Sequence, residues 1–223
     1  MANPSTAKEE GDWAIVSFKD PWHFPTCDAI SPYNQGISRP SYDPAQDRWC
    51  LLAEVTDTAF FFRARIIARD RDGKDFVVGF YPNNADAANL NLGQFHVGHT
   101  IALAYPKPHK FPDGLWGVRV DELDSCSLFP VGLNDLLQIN SDLCAYIGPR
   151  GTPRKCQACG KRDEELITCG VCQLYSYCNP KCLRIGWRDK GHEKACQLLK
   201  DPDFKSLLFF CVGEGKERFR FPL

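Results

Sequence analysis

Excess charge, long apolar runs and the common catalytic signatures are all missing from this chain of 223 residues. Its formal net charge is −1, so the chain as a whole lacks the polycation character that draws a protein to nucleic acid. No apolar run approaches the ~18 residues that a bilayer-spanning helix needs. The longest one near the end, Leu207 to Val212, fits a buried strand or a docking segment. The opening Met1-Ala-Asn-Pro-Ser-Thr has neither a basic nor an apolar stretch, so a secretory signal is not expected. No G-x-S-x-G, phosphate-binding loop, dinucleotide fingerprint or H-E-x-x-H occurs. Enzymatic activity is therefore not expected; an unseen enzyme in the N-terminal half would need a deep polar pocket there. With 43% apolar and 25% charged residues, whole-chain disorder is also excluded.

Cysteine, by contrast, is abundant. Seven cysteines and one histidine fall between positions 156 and 196, as Cys156-x2-Cys159, Cys169-x2-Cys172, Cys178-x3-Cys182 and His192-x3-Cys196. Eight such ligands make two tetrahedral Zn²⁺ sites. A disulfide framework would need an oxidising compartment, and an iron–sulfur cluster rarely takes histidine. A segment this short cannot bury an adequate core, so metal must supply its folding energy, ~10–16 kcal/mol per structural zinc. Each CxxC turn lets two thiolates converge. Cys178/Cys182 and His192/Cys196 are i, i+4 pairs, each on one helix face. Asn179 is a candidate N-cap with Pro180 at the first helical position, and Gly191 precedes the second helical pattern. The eight ligands can pair in sequence or interleave. Interleaving gives each CxxC turn a helical pair: Cys156, Cys159, Cys178 and Cys182 on one ion, Cys169, Cys172, His192 and Cys196 on the other. With four ligands on each, both ions are closed and structural rather than catalytic.

The series C-x2-C-x9-C-x2-C-x5-C-x3-C-x9-H-x3-C, with Tyr177-Cys178 and Trp187, resembles the MYND-type zinc finger. The resemblance implies two interleaved structural zincs in a small helical module that binds proline-containing peptides of partner proteins, often in transcriptional regulation. It also implies a peptide groove that uses Trp187, unless that residue only packs the two helices together. Leu183 stands where the family commonly has Gln. Some relatives in the family insert the finger in a lysine methyltransferase, but the Asn-His-Ser-Cys run of that catalytic domain is absent here. The layout as a whole is similar to fungal MYND-finger proteins with an uncharacterised N-terminal domain.

Four regions are expected. Residues 1–47 form an extended segment rich in proline and aromatics, and residues 48–149 a mostly-β domain ending in a helix. The finger occupies 156–196, and a tail over 197–223 docks back on the N-terminal domain. Leu51 to Thr56 is a candidate strand, and Phe60 to Arg69 alternates with period two. Asp70-Arg-Asp-Gly73 signals a hairpin, with Phe76, Val78 and Phe80 inward on the return strand. Asn83 to Leu92 reads as a short helix, Thr100 to Tyr105 and Leu115 to Val120 as strands, and Leu133 to Tyr146 as a helix. The expected class is α+β: a small OB-like barrel followed by the two-zinc finger of short helices. Cys27, Cys50, Cys126, Cys144 and Cys211 read as buried thiols in a reducing compartment, placing the protein inside the cell, in cytoplasm or nucleus. His96 and His99 read as loop histidines, since a zinc pair needs a third ligand.

The expected function is a zinc-binding protein-interaction adaptor or transcription-linked regulator. Leu174, Tyr175, Leu183 and Trp187 are the candidate partner groove. The alternative is nucleic-acid binding by a strip of Arg63, Arg65 and Arg69 beside Phe61, together with a basic finger. Residues 150–200 carry eleven basic and five acidic side chains, but seven thiolates and two Zn²⁺ remove three of the six surplus positive charges. A membrane partner is not expected. Chelation is expected to unfold residues 156–196 and leave the N-terminal domain largely intact.

Overall fold

A computed structural model describes residues 15–30, 48–58, 60–61, 63–83, 90–148, 152–163, 165–209 and 219–221. The aromatic and proline positions Trp13, Pro32, Tyr33, Pro40, Tyr42 and Pro44, most of the helix expected over 83–92, and the thiol Cys211 lie outside these residues. A helical turn, α1 (Cys27–Ile30), precedes the strands β1 (Cys50–Asp57), β2 (Phe60–Phe61), β3 (Arg63–Asp70) and β4 (Asp75–Phe80). These are followed by β5 (Thr100–Ala104), β6 (Lys107–Lys110), β7 (Trp116–Val120) and β8 (Cys126–Phe129). One sheet holds all eight, in the order β6-β7-β4-β3-β1-β5-β8 with β2 beside β3. The pairing is antiparallel except between β4 and β7. The path has two ends, and no closed barrel is found among the described residues. The expected β3–β4 hairpin is present. Buried Asp70 accepts hydrogen bonds from the backbone N–H groups of Asp72 and Lys74 at 3.0 Å, and Gly73 takes φ 82° to turn the chain.

β1 and β5 are buried on both faces, and their alternation explains why. Leu51, Ala53, Val55, Ile101 and Leu103 point into a core inside the sheet with Ile66, Val78 and Val118. Cys50, Leu52, Ala102 and Ala104 point the other way, into a second core. This strand pair is a wall between two hydrophobic layers. The second layer is built by helix α2 (Leu133–Ile147), the segment around Phe18 and Phe24, and buried residues of the C-terminal part from Cys156 to Leu208 together with Phe221.

Helix α2 turns Leu133, Leu136, Leu137, Asn140 and Leu143 inward, at helical spacing. The fully buried Asn140 is satisfied on both sides. Its carbonyl accepts from the Phe18 N–H at 2.8 Å, and its amide donates to the Val16 carbonyl at 2.9 Å. It thereby pins the N-terminal segment to the helix. The C-terminal part contains the hairpin β9 (Ile167–Thr168) and β10 (Ser176–Tyr177), then α3 (Pro180–Arg188), α4 (His192–Lys200) and α5 (Pro202–Leu208).

Of the two readings of Leu207 to Val212, a buried strand or a docking segment, the strand does not hold for the first residues. They end a helix, α5, whose N-cap Asp201 accepts from the N–H groups of Asp203 and Phe204. Residues 210–218 lie outside the described part. Phe204, Leu207 and Leu208 are buried in the second core. The Phe204 ring meets Phe18 and Phe129 edge-on at 5.8 Å each.

Candidate metal centre

The two ligand sets expected from the interleaved spacing are brought together. Cys156, Cys159, Cys178 and Cys182 form one cluster, and Cys169, Cys172, His192 and Cys196 the other. Within each, the ligand atoms lie within 4.8 Å of one another. Two zinc–ligand bonds of about 2.0–2.3 Å at a tetrahedral angle place ligand atoms about 3.5–3.8 Å apart. Cys159 and Cys178 Sγ are 3.6 Å apart, Cys169 and Cys196 Sγ 4.0 Å, and Cys172 Sγ lies 3.3 Å from His192 Nε2. The donor sets therefore fit two Zn²⁺ ions, which are the protein's structural cofactors. Three or more ligand-capable side chains gather nowhere else among the described residues. The His96 and His99 rings pack edge-on against each other, 5.1 Å apart.

Local backbone chemistry builds each half. In the first CxxC turn the Gly160 N–H returns to the Cys156 carbonyl at 2.8 Å, with Gly160 at φ 75°. In the second, the Gln173 N–H returns to the Cys169 carbonyl at 3.0 Å, at φ 62°. The same left-handed closure thus follows each second cysteine, once through glycine and once through a residue that adopts it less readily. Asn179 caps α3 as expected: its side chain accepts from the Cys182 N–H at 3.0 Å, with Pro180 at the helix start. That cap holds Cys182 one turn beyond Cys178.

Burial opposes ionisation of Cys156. Amide hydrogen bonds from Cys159, Cys178 and Ala158 outweigh it and bring the thiol down to about 6. Burial and the neighbouring thiols push Cys178 and Cys196 the other way, up to about 12. Four thiolates cannot crowd together without a cation, and the divalent ion is what lets them all ionise. Burial lowers His192 to about 4, so the imidazole is neutral and ready to ligate near pH 7.

The histidine is held on every side. Tyr175 and Trp187 meet its ring edge-on at 5.0 and 5.1 Å, and Tyr177 stacks on it at 5.9 Å. Its Nδ1 hydrogen-bonds the Tyr177 hydroxyl, which donates to Gln157 Oε1. Spacing alone did not reveal this chain of contacts. Its one visible mark was the Tyr177-Cys178 pair. Gly186 on α3 admits it, since a Cβ there would stand 2.2 Å from the Tyr177 ring and 2.9 Å from Gln157 Oε1.

The candidate groove of Leu174, Tyr175, Leu183 and Trp187 is divided. Leu174 and Tyr175 are buried in the core beneath the finger, where Tyr175 packs edge-on against Tyr146 of α2 at 5.9 Å. As placed they are not surface, because the finger's underside is covered by the N-terminal half. Leu183 is 36% exposed, and Trp187 is half-buried one turn further along α3. Exposed Ile167 and Val171 complete the finger's apolar outer positions.

The arginine strip is engaged with its own sheet. Arg65 pairs with Asp113 at 2.5 Å and lies 4.4 Å over the Phe111 ring, and Arg69 grips Asp75 with two bonds of 2.8 and 2.9 Å. The side chains of Arg63 and Phe61 lie outside the described part. A cavity of about 380 Å³ opens between β4, β8 and α5 and is lined by Phe80, Phe95, Asp124 and Asp203 among others. Its two carboxylates are bonded to Arg220 and Ser127. Among the described residues, no helix is long and apolar enough to cross a membrane.

No curated protein matches the chain closely enough to count as a relative, so the likeness to fungal proteins has no support from that comparison. The family model described as the MYND finger matches residues 156–196. Those residues, with their two four-ligand clusters, are a MYND finger, a zinc-binding protein-interaction module.

Proposed function

We propose that this protein is an adaptor or transcription-linked regulator, working inside the cell, that recruits a protein partner through the outer face of its finger. The observation that carries the reading is the pairing of a rigid base with an apolar exposed edge. The finger is fixed from below by the shared core and from within by two metals. Leu183 and Trp187 stand one turn apart on α3 and face outward to different degrees. An extended peptide, including a proline-containing one, docks on such a pre-formed strip with little ordering cost on the protein's side. Four donors on each ion leave no position for substrate, which supports a binding role for the finger rather than a catalytic one. The sheet order supports an OB-like reading of the N-terminal half. β5 passes through only Tyr105 and Pro106 into β6, so one bent run of chain borders both β1 and β7.

Affinity capture with the zinc-loaded protein tests the reading. Leu183→Asp is expected to lose the captured partner at least tenfold while keeping two zincs and its melting temperature, because the residue is exposed. Trp187→Ala should lose the partner as well, and also some stability, because the indole packs on His192. Capture of the same partners at wild-type yield by both variants would refute a docking role for α3.

A further inference from the structure

We propose that the Gln157–Tyr177–His192 hydrogen-bond chain couples the two metal sites, so that filling the all-cysteine site positions the histidine of the other. Each member belongs to a different part of the finger. Gln157 lies inside the first CxxC turn, directly after Cys156, and its N–H is anchored to the Ser176 carbonyl at 3.0 Å. Tyr177 directly precedes Cys178, the third ligand of the same site. His192 is a ligand of the second site, with Nε2 on the ligand side near Cys172.

The direction of each bond is set by chemistry. With Nε2 used for ligation, Nδ1 carries the proton and donates to the tyrosine oxygen. The tyrosine hydroxyl in turn donates to Gln157 Oε1, which can only accept. The chain has one arrangement, and its start is fixed by the first metal site. All three side chains are almost wholly buried, so no water replaces a lost partner. Gly186 leaves the room that lets the tyrosine ring lie against α3. If the first CxxC turn loosens, Gln157 moves, the tyrosine hydroxyl loses its acceptor, and the imidazole loses its orientation. Tyr177 and Gln157 are thus positioning residues for a metal they do not touch.

A double-mutant cycle on the full chain tests this. The readout is the affinity of the Cys3His site for Co²⁺, followed by its own thiolate-to-cobalt absorption band in competition with a chelator. Cys159→Ser, which disables the first site, is expected to weaken Co²⁺ binding at the second about 10–100-fold, the range for losing an orienting partner of a ligand histidine. In a Tyr177→Phe background, already weakened, the same lesion should cost no more than about threefold further, because the link is gone. Equal costs of Cys159→Ser in both backgrounds would overturn the proposal. If Tyr177→Phe fails to hold cobalt at all, Gln157→Leu replaces it, since it cuts only the link to the first site. The Cys159→Ser cost must then shrink likewise, and an undiminished cost overturns the coupling.

Discussion

Stripping both zincs with a strong chelator at neutral pH is expected to unfold the N-terminal half together with the finger. This departs from the independent finger that the spacing of the sequence suggests. Cys156, Cys169, Cys172 and Cys196 share one hydrophobic core with Phe18, Leu52, Phe129 and Leu136. The outer faces of β1 and β5 are therefore covered by elements that the metals hold in place. Two structural zincs at ~10–16 kcal/mol each exceed the whole stability of an ordinary domain, about 5–15 kcal/mol. A single cooperative loss of near- and far-ultraviolet circular dichroism, coincident with release of two zincs per chain, is the expected record. Retained amide protection in β1, β3 and β5 after zinc removal would show that the sheet stands alone.

Acid should act through the same route. The folded state keeps His192 neutral down to about 4, whereas an unfolded histidine takes a proton near its ordinary value of 6.5. Between those values the unfolded chain binds the extra proton, so stability falls as pH is lowered through that window. Protonation of the thiolates adds to the loss and releases metal. Melting temperature and bound zinc should decline together from about pH 6.5 downward; a finger fully loaded and equally stable at pH 4 would contradict this account.

Phe204→Ala is expected to destabilise the protein by about 3–5 kcal/mol, the usual range for a buried phenylalanine. The ring is fully buried and stands between Phe18 of the N-terminal segment and Phe129 of β8, so its loss opens a void at the junction of the two halves. The melting temperature should fall by about 6–20 °C, with both zincs still bound at 25 °C because Phe204 lies beyond the last ligand, Cys196. A change under 1 kcal/mol would mean that the second core closes without it.

Much of the metal centre was legible in the chain because its signals are local. Ligand type, the i, i+4 step of Cys178/Cys182 and His192/Cys196, and the Asn179-Pro180 cap depend on covalent geometry within a few residues. The same is true of the Asp70–Gly73 hairpin and of α2, whose apolar residues recur at helical spacing. Weaker patterns were not legible. β6 reads Lys-Pro-His-Lys, with no alternation; it is a strand only because it sits at the end of the sheet, where Pro108 need not donate. α5 begins with Pro-Asp and was hidden by the apolar run that follows it.

What tertiary structure alone decided is which surfaces meet. Period two in β1 says that Leu51 and Leu52 face opposite ways, but nothing in those eight residues says that Leu52 will face a layer completed by Leu199 and Phe204. The same silence hid the burial of Leu174 and Tyr175 and the contact between Tyr177 and His192. Such pairings are chosen by how faces far apart in the chain bury the most apolar area together and leave no polar atom unpaired, and that choice exists only once the chain has closed on itself.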